Sequence, residues 1–400
     1  MAFALSFLQL LLGIALLFAG GELFVAGSVA LSLLFGIPQI VIGLTVVSFG
    51  TSAPELFVSL LSTLQTGGST ESIAVSNVVG SNIFNLLVVL GASALVMPLR
   101  VQSRLIRRDV PLLLAISMAA WGMASSGTLT WVAGLALLTV LLINLIWEVR
   151  TAREEGAGDE PLEDDAAAPL PVALGKGFLG LVLLVVGSQV LVNGATGAAL
   201  ALGVSQTVIG LTIVSAGTGM PELVTSLVSV YRGRTDLAIG NVVGSNLMNL
   251  LLILGGCALA TGGSGLAVDP VLISRDFPLM VAATLACLPI FWSGGVINRL
   301  EGAVLVVLYA LYLVEQVLSN TMPLGDEDPF RLVVLVVVLP ALLVFIAWST
   351  LSWQRSGRAW VQGLASTSVQ CFRPIDRAGV AAAHRQVLPT TAGVSLRWLG

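Results

Sequence analysis

Apolar positions in this chain come in long, nearly unbroken runs separated by short polar stretches, not in the period-2 or period-3.6 alternation of half-exposed strands and helices. Runs close to the ~20 residues that carry a helix across a bilayer fall at 3–30, 37–64, 72–97, 109–124, 129–148, 170–197, 204–230, 235–261, 277–293, 299–319 and 331–353. The pattern predicts an all-α polytopic membrane protein with eleven spans. The first run has neither a basic leader nor a small-residue cleavage site, so it reads as a retained helix. Composition agrees with this reading: of 400 residues, 56% are hydrophobic and 10% charged, where a soluble globular chain has about a quarter charged.

Several of these runs carry polar residues, and they do so twice. Gly43-Leu-Thr-Val-Val-Ser-Phe-Gly-Thr-Ser-Ala-Pro-Glu55 returns 167 residues later as Gly210-Leu-Thr-Ile-Val-Ser-Ala-Gly-Thr-Gly-Met-Pro-Glu222. Ser76-Asn-Val-Val-Gly-Ser-Asn-Ile-Phe-Asn85 returns as Gly240-Asn-Val-Val-Gly-Ser-Asn-Leu-Met-Asn249, and Arg108-Asp109 returns as Arg275-Asp276. Each copy spans five runs. An odd number forces the second copy to start from the opposite side of the membrane, so two inverted five-helix repeats form a ten-helix core, the architecture of many secondary transporters. The expected organisation is a first repeat at 1–148, an acidic cytoplasmic linker at 149–169, the inverted repeat at 170–320, an extra transmembrane helix at 331–353 and a tail at 354–400.

Charge fixes the expected orientation. With eleven alternating spans, all but Arg275 and Arg331 of the 18 Lys and Arg residues fall on one side, and the positive-inside bias makes that side the cytoplasm, with the N-terminus outside. Arg108-Asp109 and Arg275-Asp276 read as helix starts, with the acid in the first turn where the dipole favours it. Cys257, Cys287 and Cys371 have no pairing pattern and read as packing residues. Nothing resembles a nucleic-acid surface.

A carboxylate at the bilayer centre costs roughly 2.5–3.5 kcal/mol even on insertion scales, which singles out Glu55 and Glu222. Each follows a proline, which breaks the helical hydrogen-bond ladder, so each span is expected to be two half-helices with free carbonyls around Ser48–Gly50 and Ser215–Gly217. Ser81 and Asn85 are four residues apart on one helix face, as are Ser245 and Asn249. With Thr51 and Thr218 they form a hard, oxygen-only donor set with two negative charges, suited to one calcium ion or two sodium ions. No span contains a histidine, so zinc and copper fit poorly, and no cofactor is implied. Intramembrane enzyme chemistry finds no His-Glu-x-x-His, serine–histidine or Asp-rich motif here.

The paired Gly-Thr-Ser-Ala-Pro-Glu and Gly-Thr-Gly-Met-Pro-Glu segments, each followed by Val-Val-Gly-Ser-Asn, resemble the alpha repeats of the calcium/cation antiporter superfamily, in particular prokaryotic sodium/calcium exchangers. The resemblance covers about residues 1–320. It implies a multi-pass protein of a prokaryotic inner membrane, functional as a monomer, that extrudes calcium in exchange for sodium; proton or potassium coupling is the alternative. It also implies ligand roles for Glu55, Glu222, Thr51, Thr218, Ser52, Ser81, Asn85, Ser245 and Asn249, and carbonyl donors at Ser48 and Ser215. Two departures stand out: Gly219 where the family commonly has Ser, leaving Ser52 without a counterpart, and Asn at both 85 and 249, where some members carry Asp. The eleventh span exceeds the usual ten.

Overall fold

A computed structural model describes residues 2–66, 73–155, 168–209, 212–213, 215–292 and 295–321. The predicted eleventh span, the tail and most of the acidic linker lie outside the described residues. Among those described, seven helices are long and apolar enough to cross a membrane, and an eighth arises if the bent pair Gln39–Thr51 and Ala53–Gln65 counts as one span.

The first half begins with α1 (Ala2–Phe35), which ends because Gly36 takes φ 63°, a left-handed conformation that closes a helix, and Pro38 then prevents its continuation. Next come α2 (Gln39–Ile42), a π-helical turn at Gly43–Val47, α3 (Ser48–Thr51) and α4 (Ala53–Thr66). The half continues with α5 (Ile73–Phe84), a π-helical turn at Asn85–Val89 and α6 (Leu90–Val96). It closes with β1 (Leu99–Arg100), α7 (Val110–Ala124), β2 (Thr128–Leu129) and α8 (Trp131–Glu155). α8 therefore absorbs the first seven residues assigned above to the linker.

The second half repeats this order. α9 (Leu170–Ala201) ends at Gly203, φ 82°, and is followed by α10 (Gln206–Ile209), α11 (Ser215–Thr218) and α12 (Met220–Tyr231). α13 (Thr235–Met248) passes through a π-helical segment at Asn249–Leu254 into α14 (Gly255–Ala260). β3 (Leu266–Ala267), α15 (Phe277–Trp292), β4 (Val296–Ile297) and α16 (Arg299–Thr321) complete it. The strands pair crosswise and antiparallel, β1 with β4 and β2 with β3. By sequence β1 corresponds to β3 and β2 to β4, so each strand meets the non-equivalent strand of the other half.

Helices α5 and α13 fill the centre, where Val75, Val78, Val79, Ile239, Val242 and Val243 are fully or almost fully buried. α1 and α9 pack on each other along a glycine seam. Glycines recur every seven residues at 13, 20 and 27 and at 180, 187 and 194, and a Cβ at Gly180 would lie 2.4 Å from the Phe24 nitrogen and 2.8 Å from the Gly20 carbonyl. Small residues are what allow two helices to approach until backbone meets backbone.

The two Arg-Asp pairs are not helix starts, which corrects the expectation above. π-helical turns at Leu105–Asp109 and Leu272–Asp276 run straight into α7 and α15, and Asp109 makes no capping hydrogen bond. Each aspartate instead joins a buried ion cluster. Arg104 and Arg108 both bind Glu148 of α8, Arg108 reaches Asp109 at 3.2 Å and Asn144 at 2.8 Å, and its guanidinium stacks over Trp147. In the second half Arg275 binds Asp276 at 2.8 Å and Glu315 of α16 at 3.5 Å. The Tyr312 hydroxyl donates to Asp276 at 3.3 Å. Glu22 forms a half-exposed pair with Arg232. Cys257 and Cys287 are buried free thiols.

Candidate ion-binding site

The helix carrying Glu55 bends by 46°. The break is narrower than proline and glycine chemistry alone suggests: Ser48–Thr51 stays helical and the Ser52 amide donates to the Ser48 carbonyl at 3.0 Å. The unwound stretch expected over Ser48–Gly50 is therefore absent, and the departure is confined to Ser52, at φ −82°, ψ 2°. Pro54 costs nothing, because the first turn of a new helix has no use for its missing N–H. Gly219 takes the same conformation in the second half, φ −83°, ψ 3°, between helical Ser215–Thr218 and Met220–Tyr231. Glu55 and Glu222 thus sit in the first turns of α4 and α12, where unpaired amides and the helix dipole favour negative charge.

Both carboxylates are 1% exposed and lie near enough to interact electrostatically. Around them the two halves interlock. Ser52 Oγ donates to Glu222 Oε1 at 3.4 Å, and Thr51 Oγ1 reaches Asn241 Oδ1 at 3.1 Å and Ser245 Oγ at 3.3 Å. Asn249 Nδ2 donates to Asn82 Oδ1 at 2.9 Å. Ser48, by contrast, serves packing: its hydroxyl donates to the Asn241 carbonyl at 3.1 Å on the close face of α13. Ser81 is buried on α5, and Thr218, half-buried, ends α11. The Ser215 side chain is outside the described residues.

A buried polar atom without a partner costs about 1–3 kcal/mol, so such atoms mark where a chain keeps groups for another use. Here they are both oxygens of Glu55, Oε2 of Glu222, the whole amide of Asn85, the whole amide of Asn246 and Oδ1 of Asn249. All five residues contribute a carboxylate or carboxamide oxygen, and Asn85 and Asn249 each open a π-helical turn, the widened helix geometry that recurs at functional sites. Among the described residues no three His, Cys, Asp or Glu side chains converge. The charge of the cluster therefore rests on two carboxylates amid neutral oxygens.

A family model described as sodium/calcium exchanger protein matches the chain in two stretches, residues 5–149 and 173–318. The chain belongs to this exchanger family. Inner membrane protein YrbG of Escherichia coli K12 is 34% identical over 322 residues, covering 77% of this chain and 97% of YrbG. Putative antiporter CaxA of Alkalimonas amylolytica is 38% identical, covering 76% and 95% respectively. Sodium/calcium exchanger MaX1 of Methanosarcina acetivorans is 30% identical, covering 77% and 97%. Among solved structures, the sodium-calcium exchanger NCX_Mj matches with a TM-score of 0.66 and 30% identity over 78% of this chain and 99% of its own. Membership makes this protein a multi-pass membrane transporter that exchanges cations, not an enzyme.

The candidate site also includes residues that the sequence reading passed over. Asn241 Nδ2 donates to the Glu222 carbonyl at 3.3 Å and to Ser226 Oγ at 3.0 Å, while Asn77 Nδ2 does the same for the Glu55 carbonyl at 3.4 Å and Ser59 Oγ at 3.0 Å. Each asparagine precedes a candidate serine by one helical turn, inside the repeated Asn-Val-Val-Gly-Ser-Asn, so the signal was on view. Asn241→Ala strands Ser226 and the Glu222 carbonyl, and it also releases Thr51. Its expected effects are a stability loss of about 1–3 kcal/mol and a roughly tenfold weaker cation affinity, as for other supports of ion ligands. Thermal unfolding and the calcium dependence of uptake check this; an unchanged affinity would mean Asn241 only packs.

Proposed function

We propose that this exchanger extrudes calcium from a prokaryotic cytoplasm against entering sodium. The observation that carries the reading is the pair of buried carboxylates, Glu55 and Glu222, with unpartnered oxygens in a shell of neutral oxygens. One calcium or two sodium ions neutralise the pair equally, so the ions compete for one site, and an ion-free pair of like charges is costly to bury. Thr51, Ser52, Thr218, Ser81, Asn85, Ser245 and Asn249 complete the proposed ligand set. Two five-helix halves of opposite orientation would hold it, a reading supported by the doubled family match and the crosswise strands. The carbonyl of Ser48 drops out as a free donor, since Ser52 engages it.

Everted membrane vesicles test this directly. A sodium gradient, high inside, is expected to drive calcium uptake, and protease added outside is expected to cut a tag on the tail. The absence of hydrogen bonds to either Glu55 oxygen leaves room for one competitor, proton coupling, in which a proton in place of sodium neutralises the buried carboxylate. Uptake driven by a pH gradient in sodium-free buffer, and not by sodium, would replace the sodium reading with that one.

A further inference from the structure

The two halves of the site differ at one place, and a ring on the facing helix explains the difference. Ser52 and Gly219 occupy equivalent positions with the same backbone angles, φ −82°, ψ 2° and φ −83°, ψ 3°. Neither angle requires glycine, since both lie in a region that any residue adopts. Space is what excludes a side chain: a Cβ at Gly219 would lie 2.5 Å from Cδ1 and 2.7 Å from Cε1 of Phe84. The ring cannot swing away, because it is buried and packs edge-on against Tyr309 with centroids 5.5 Å apart and planes at 77°. By the repeat offsets, Met248 stands at the place of Phe84 and Leu142 at that of Tyr309 in the other half, so the aromatic pair exists once.

The consequence falls on the carboxylates. Glu222 receives the Ser52 hydroxyl at 3.4 Å, whereas neither oxygen of Glu55 accepts a hydrogen bond, and the hydroxyl that symmetry would supply to it is replaced by Phe84. We propose that the Phe84–Gly219 pair sets the sodium count of this exchanger, by removing one neutral oxygen ligand from the Glu55 half of the site. What remains serves the two sodium ions that two carboxylates neutralise. A further sodium ion would have to be held by neutral oxygens alone, and the ring has taken the place of one. Exchange of one calcium for two sodium ions moves no net charge, so this transporter is electroneutral. The inference rests on the sodium-coupled reading above.

Purified full-length protein in liposomes tests it. Sodium-driven calcium uptake is measured while potassium and valinomycin impose membrane potentials of either sign. The expected result is an uptake extent that ignores the potential and rises with the square of the sodium gradient. Potential-driven accumulation, or dependence on the cube of the gradient, overturns the proposal while leaving sodium coupling intact; failure of sodium to drive any uptake overturns both. Phe84→Ala combined with Gly219→Ser restores the hydroxyl with room for it, and this double variant is expected to gain potential dependence. A folded double variant that remains electroneutral would remove the pair from that role. Gly219→Ser alone places its Cβ against the ring and is expected to weaken sodium activation without gaining potential dependence.

Discussion

Glu55→Gln is expected to lower sodium-driven calcium uptake on the order of 100-fold, equivalent to about 2.7 kcal/mol, while leaving the protein folded. The substitution keeps the shape of the side chain but exchanges an acceptor-only group for one that points an NH2 at the cation. It also halves the charge available to a divalent ion in surroundings where little water screens it. Glu55 makes no hydrogen bond through its carboxylate, so its loss strands no protein partner. Burial of an unpaired charge is itself unfavourable, and the variant should unfold at the same or a higher temperature without calcium. What it should lose is the stabilisation that calcium gives the native protein by mass action. A variant that still transports, or that melts early and never folds, would contradict the role assigned to Glu55.

Gly180→Leu is expected to cost about 3 kcal/mol, at the upper end for overpacked sites, and to abolish transport. At Gly180 even a Cβ would sit 2.4 Å from the backbone nitrogen of Phe24; no rotamer relieves a clash that begins at the first carbon, so α1 and α9 must separate along the seam. Gly175→Ala on the same helix is the control, because a Cβ there meets nothing within 4 Å. Thermal unfolding in detergent should separate the two by a clear margin. Equal melting temperatures would mean the seam tolerates separation and contributes little.

Much of this was legible in the sequence because the costly residues are rare and doubled. Two glutamates in apolar runs, each after Gly-Thr-x-x-Pro punctuation, cannot be background, and they led to the helix breaks at Ser52 and Gly219 and to Ser81–Asn85 and Ser245–Asn249. Other features were written in commoner letters. The glycine seam has a perfect seven-residue spacing, but with 43 glycines in the chain a period of seven is easily lost. Glu148 and Glu315 lie 40 residues beyond the arginines they bind, a distance closed only in the fold, where side chains of α8 and α16 reach the π-helical turns that precede α7 and α15. The π-helical turns depend on a locally widened hydrogen-bond register, for which no residue type is diagnostic. Proline led the reading too far at Ser48, since its helix-breaking character is harmless where a helix begins. Gly219 was visible as a missing hydroxyl, but its cause, the pinned ring of Phe84, is visible only in three dimensions.

The buried ion clusters bear on how such a chain enters a membrane at all. In the first copy Arg104 and Arg108 face Asp109 and Glu148, whereas in the second Arg275 faces Asp276 and Glu315. Val271 and Ser274 stand where the first copy has Arg104 and Arg107. The insertion machinery retains arginine-rich helix ends on the cytoplasmic side, so on the inverted arrangement proposed above the second copy is expected to carry fewer arginines at this end, as its sequence does. In the second copy the Tyr312 hydroxyl supplies Asp276 with a neutral donor. On that proposal the arginine count at this helix end acts as an address label for each half, while both halves keep an ion cluster there.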